Sequence, residues 1–153
     1  MRIAVVLPAL AAIAVAGCGY RFTTAYHLKD AERATVTPFE NLSAEPELGA
    51  AVSAALREEL ARRGAAGEGA VIEGEVRSTE PVPTAAAGAA YRIGLQVRAR
   101  LKVGARVVAQ HDLRRDGDYV AGVDALETEG RRALALRRAA ADVARDVLRA
   151  FER

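Results

Sequence analysis

Hydrophobic and polar positions alternate most cleanly between Tyr91 and Val103. Tyr91, Ile93, Leu95, Val97, Ala99, Leu101 and Val103 share one face, and Arg92, Gly94, Gln96, Arg98, Arg100 and Lys102 share the other. A period of two over this length predicts a strand with one face buried. Gly104-Ala105 predicts a hairpin turn, residues 106–115 a returning strand, and Asp116-Gly117-Asp118 a second turn. Residues 70–77 alternate as well, with Ala70, Ile72, Gly74 and Val76 inward and Glu73, Glu75 and Arg77 outward. Pro81 and Pro83 close that strand, and residues 84–90 read as a loop of small residues. Residues 33–39 are β-branched and stopped by Pro38, which predicts a short strand at an edge.

Two segments switch to helical spacing. Leu48, Val52, Leu56 and Leu60 recur every four residues, with Pro46 at the expected first helical position and Gly64 just past the end. The second helix is capped by Asp124, with Glu127 three residues on, and its stripe includes Leu136, Ala140, Val143, Val147 and Phe151. The order is strand, helix, three strands, helix. A sheet with one apolar face needs a cover and two amphipathic helices supply it. The expected fold is therefore an α+β two-layer sandwich of about four mostly antiparallel strands, with both helices on one face and the polar face bare.

The first residues follow a different rule. Arg2 precedes an uncharged stretch from Ile3 to Ala14, too short to span a bilayer, and Val15-Ala16-Gly17 leads into Cys18. These four residues resemble a bacterial lipobox, cleaved before a cysteine that is then acylated. Cys18 is also the one cysteine of the chain. The reading is a cleaved signal over residues 1–17, a lipidated tether over 18–32 and a single periplasmic domain over 33–153. Several acyl chains on one cysteine anchor far better than one, at about 0.8 kcal/mol per buried methylene. Residue 19 is Gly where an Asp resembles an inner-membrane retention signal, so the expected address is the outer membrane. Tyr20, Phe22 and Tyr26 give the tether aromatic groups that can dock on a surface.

Groups for catalysis are scarce. His27 and His111 have no metal-ligand spacing, and the glycines from Gly64 to Gly69 follow a helix and precede no Lys-Ser/Thr, unlike a phosphate cradle. No catalytic residue, metal site or cofactor is expected, and the chain reads as a non-enzyme. Charge is unevenly spread about a net of +2. Residues 40–80 sum to −5, whereas residues 91–115 sum to +6. Arg92, Arg98, Arg100 and Lys102 stand on one face of one strand and form the candidate ligand contact, because guanidinium and ammonium groups match phosphate. A solvated strand face is the alternative. In the periplasm the suitable partner is a phosphate-bearing anionic amphiphile; nucleic acid fits the charge but not the compartment.

Together these pieces resemble the LptE family of lipopolysaccharide-assembly lipoproteins. The likeness rests on Cys18-Gly19-Tyr20-Arg21-Phe22, Val36-Thr37-Pro38-Phe39-Glu40-Asn41, the Glu45-Pro46-Glu47-Leu48 helix start, Ile72 to Val76, Tyr91-Arg92-Ile93 and a helix after Tyr119. The resemblance implies a partner, the outer-membrane β-barrel LptD. It implies a role as barrel plug and assembly partner, and in passing lipopolysaccharide to the outer leaflet. The resemblance supplies no residue-level binding motif, so the basic face is a reading of this sequence alone. The Val36 to Asn41 stretch is also similar to periplasmic lipoproteins that bind and activate cell-wall enzymes, which is the second reading.

Overall fold

The computed structural model describes residues 27–84 and 89–152; the signal, Cys18 and the aromatic tether residues lie outside them. The elements in chain order are β1 (Ala34–Val36), β2 (Glu40–Asn41), α1 (Leu48–Arg62), β3 (Ala70–Ser78), β4 (Val82–Pro83), β5 (Ala90–Val103), β6 (Arg106–Val120) and α2 (Ala125–Phe151). The six strands occupy four ranks. β1 and β2 share one edge of β3, β4 continues the rank of β3 along β5, and β6 forms the opposite edge. Pairing is parallel between β3 and its neighbours β1 and β2 and antiparallel elsewhere. The α+β two-layer arrangement is the one the periodicity predicts, with a mixed sheet.

Both helices lie on one face. α1 packs over β1, β2 and β3, α2 packs over β5 and β6, and the two helices touch each other. Val52, Leu56 and Leu60 meet Ile72 and Val76, while Val143, Val147 and Phe151 meet the inward face of the long hairpin in the same cluster. Burying each Leu or Phe side chain contributes about 1.5–3 kcal/mol. Leu28, within the stretch read as tether, is also buried, and the Lys29 N–H donates to the Phe151 carbonyl at 2.7 Å. Chain entry is thereby fastened to the last turn of α2.

Local chemistry explains the element ends. After α1 the Gly64 N–H donates to Ala61 O and the Ala65 N–H to Leu60 O, with Gly64 at φ +69°. This is a Schellman ending, which favours glycine because a left-handed residue is required. The Asp124 side chain accepts from the Glu127 N–H at 2.8 Å, and the Glu127 carboxylate accepts from the Val123 N–H at 2.9 Å. This differs from a strict capping box by one residue, since the return bond reaches the residue before the cap.

Three local expectations are corrected. Asp116-Gly117-Asp118 is not a turn: β6 runs unbroken to Val120, with Gly117 opposite Ile93. Gly117 serves there as the floor of α2, because a Cβ on it would lie 2.9 Å from Ala135 O. Residues 33–39 form only the three-residue β1, and the chain then steps to β2 past Pro38, which has no N–H to donate. Pro46 lies in the turn before α1, where the Leu48 N–H reaches back to Glu45 O at 3.3 Å, so the helix begins two residues later than predicted.

Candidate functional site: the bare face of the sheet

The face opposite the helices is built by the outward positions of β3, β5 and β6. The predicted residues Arg92, Arg98, Arg100 and Lys102 all stand there, on β5. Arg92 and Lys102 are ten positions apart, so they lie at opposite ends of the strand, about 33 Å from each other. The four residues form a stripe and do not converge on one point.

Antiparallel pairing brings an acid to every one of them. Arg92 grips Asp118 with two bonds, Nε to Oδ1 at 2.8 Å and a terminal nitrogen to Oδ2 at 3.1 Å. Arg98 bridges both neighbouring strands, reaching Asp112 at 2.7 Å and Glu75 at 3.2 Å. Glu73 receives Arg100 at 3.4 Å and Lys102 at 3.2 Å. The bonds that Arg92 donates to Asp118 hold the Asp118 carboxyl below its ordinary range and raise the Arg92 guanidinium. Arg98 is raised in the same way, first by its bond to Asp112. Arg92, Arg98, Asp112 and Asp118 are exposed, so their pairs contribute little stability, while Glu73, Glu75 and Lys102 are half-buried. Their effect is to fix the side chains and balance the charge.

Two further arginines stand on the strip that the sequence reading did not assign to the candidate contact. Arg77 on β3 and Arg114 on β6 stand opposite Gln96 from its two sides. With Arg98 they line a shallow depression of about 330 Å³, together with Glu75 and Asp112. Arg77 was legible as an outward position of its strand; its place beside Gln96 depends on a register that no local pattern contains. Across the whole face, Arg77, Arg92, Arg98, Arg100, Lys102 and Arg114 are matched by Glu40, Glu73, Glu75, Asp112, Asp116 and Asp118.

A second concavity lies between the helix starts. Pro46, Leu48, Ala51, Leu126, Ala133 and Leu136 are among the residues of this groove of about 480 Å³, and Leu126 is 85% exposed. His111 faces the helices, its ring 5.6 Å from that of Phe151, and serves packing. Among the described residues there is no group of three His, Cys, Asp or Glu side chains that could hold a metal ion. No described helix is long and apolar enough to cross a membrane.

Comparison with known families decides the relationship. The model of the family described as LptE, lipopolysaccharide-assembly, matches residues 31–151, which takes in every element of the fold. The chain belongs to the LptE family. Solved structures similar in fold are distant in sequence. A provisionally assigned lipoprotein from Caulobacter crescentus CB15 is 18% identical with a TM-score of 0.58, over 75% of this chain and 88% of the other. A minor lipoprotein from Acinetobacter baumannii is 13% identical with a TM-score of 0.58, over 78% and 90%. The rare lipoprotein B from Shewanella oneidensis is 14% identical with a TM-score of 0.50, over 72% and 90%. At such identities the likeness is one of fold. No curated protein matches this chain.

Proposed function

We propose that this LptE-family protein is a lipid-anchored lipoprotein of the outer membrane, acting with an LptD-type β-barrel in lipopolysaccharide transport and insertion. The observation that carries the reading is the family match across both helices and the whole sheet. The Val15 to Cys18 lipobox supports the anchor, and the fold relatives that bear lipoprotein names are in keeping with it. The bare sheet face supports the barrel, because a barrel lumen is polar and a charge-balanced, hydrogen-bonding face can enter it without exposing apolar surface.

Arg92, Arg98, Arg100 and Lys102 are the proposed contacts to lipid A phosphates or to acidic lumen groups. A phosphate binds here by displacing a carboxylate that already holds the guanidinium in place, so the pairs act as exchangeable partners. Replacing Arg98, Arg100 and Lys102 together by Ser tests this role. The expected result is weaker lipopolysaccharide binding with an unchanged circular dichroism spectrum; equal binding refutes the ligand contact.

The partnership is tested by affinity capture of the full-length lipidated protein from outer membranes, with mass spectrometry of what stays bound. A stoichiometric large barrel is expected. Recovery of a cell-wall synthase in its place would overturn the proposal in favour of an enzyme activator.

A further inference from the structure

The groove between the helix starts has the chemistry to hold a short aromatic and basic segment. Arg63, at the close of α1, pairs with Glu152, at the close of α2, so both helices finish at one end of the domain. Leu48 and Arg137 each stand 15 residues back from that pair, about 22 Å up their helices. The groove floor at this height is Leu48 and Leu136, both buried, with half-buried Ala51 and Ala133 beside them. Glu47 and Arg137 border it; both are exposed, and neither forms an ion pair among the described residues. An apolar floor flanked by a free carboxylate and a free guanidinium suits a segment that alternates aromatic and basic residues.

Such a segment is present in the tether, as Tyr20-Arg21-Phe22. The chain enters the domain at the end where both helices finish, with Leu28 buried and the Lys29 N–H on Phe151 O. Counted back from Leu28, an extended chain covers about 20 Å to Phe22 and about 27 Å to Tyr20. These lengths bracket the height of Leu48 and Arg137. We propose that Tyr20-Arg21-Phe22 occupies the groove while the chain is free of its partner. Alternate residues of an extended segment share a side, so Tyr20 and Phe22 turn to the floor and Arg21 to the rim, where Glu47 is its counter-charge. Arg137 then covers an aromatic face, a favourable contact for a guanidinium that no acid holds. Each aromatic side chain removes up to about 150–250 Å² from water. A barrel that takes the domain into its lumen must draw the tether off, so the docked tether covers the apolar groove until assembly. The inference concerns the single free chain and stands whatever that partner is.

The test is photo-crosslinking in the mature chain, residues 18–153, with Cys18→Ser to remove the anchor and a benzophenone-bearing phenylalanine in place of Phe22. Irradiation at micromolar concentration, then digestion and mass spectrometry, should give adducts within one chain to the segments around Leu48 to Ala51 and Ala133 to Arg137. Arg21→Glu sets two carboxylates together and Glu47→Arg two guanidinium groups. Each alone should lower the adduct yield at least threefold, with an unchanged circular dichroism spectrum. The two combined restore the opposite charges and should return the yield to that of the parent. Adducts to the sheet face, adducts between chains only, no adduct, or a yield indifferent to Arg21→Glu would each overturn the inference. So would a groove filled by a co-purifying lipid with the tether unattached.

Discussion

Gly74→Ala separates steric from conformational reasoning, because the two predict opposite signs. Gly74 lies in the middle of β3 opposite Ala99 and has an ordinary strand-compatible backbone. On propensity alone, alanine in a strand interior gains roughly 0.5–1 kcal/mol over glycine. The surroundings decide otherwise. An added Cβ would lie 2.1 Å from the Arg98 carbonyl oxygen and 2.6 Å from Phe39 Cε1. The ring can turn away, but the carbonyl belongs to the paired strand and can move only if the β3–β5 ladder shifts. Overpacking of this kind costs about 1–3 kcal/mol. At roughly 4 °C per kcal/mol for a domain of this size, thermal unfolding followed by circular dichroism should fall by about 4–12 °C. Gly130→Ala is the control, since a Cβ there meets nothing within 4 Å in an exposed helical position. It should gain up to about 1 kcal/mol. Adding Phe39→Ala to Gly74→Ala removes the ring but not the carbonyl, so most of the steric penalty should persist after subtracting the effect of Phe39→Ala alone. A Gly74→Ala protein as stable as its parent, or more stable, refutes the account of why this strand needs glycine.

Phe151→Ala should cost about 3–5 kcal/mol in urea unfolding, because the ring is fully buried and closes the core at the end of α2. Glu127→Gln should lower stability at neutral pH, with the deficit shrinking as the solution is made acidic. The Val123 N–H, and then Arg131, hold the Glu127 carboxyl below its ordinary value. Its stabilisation is therefore present above the unfolded-state value and is lost as pH falls through the lowered folded one. A deficit independent of pH would show that the charge of Glu127 contributes nothing.

The fold was legible wherever local chemistry sets structure. Alternation located β3 and β5, four-residue spacing located α1, and Asp124 with Glu127 marked the start of α2. The misreadings share a cause. Asp-Gly-Asp is a turn signal when judged by its neighbours in sequence, but Gly117 is used by tertiary structure to admit Ala135, and Asp118 is taken by Arg92 across the hairpin. Pro38 likewise truncates β1 without ending the edge, because β2 resumes pairing with the same strand four residues later. A breaker acts on one segment; a sheet edge can be assembled from several.

The same limit governs the candidate site. A charge sum over residues 91–115 registers seven basic groups and one acid. What surrounds them is set by register: Glu73 and Glu75 arrive from β3, and Asp116 and Asp118 from beyond the end of that window. The stripe is therefore one row of a charge-balanced lattice, and this changes the chemistry proposed for it. An isolated basic stripe would attract any polyanion over a Debye length, with strong salt dependence. A balanced lattice has little long-range pull and selects at contact, accepting a partner whose phosphates or carboxylates fall where Glu73, Glu75, Asp112 and Asp118 now sit. The proposed lipopolysaccharide contact through this face should accordingly depend on the spacing of anionic groups more than on net charge. Polyanions of equal charge and irregular spacing should compete poorly for it; efficient competition would return the face to simple electrostatics.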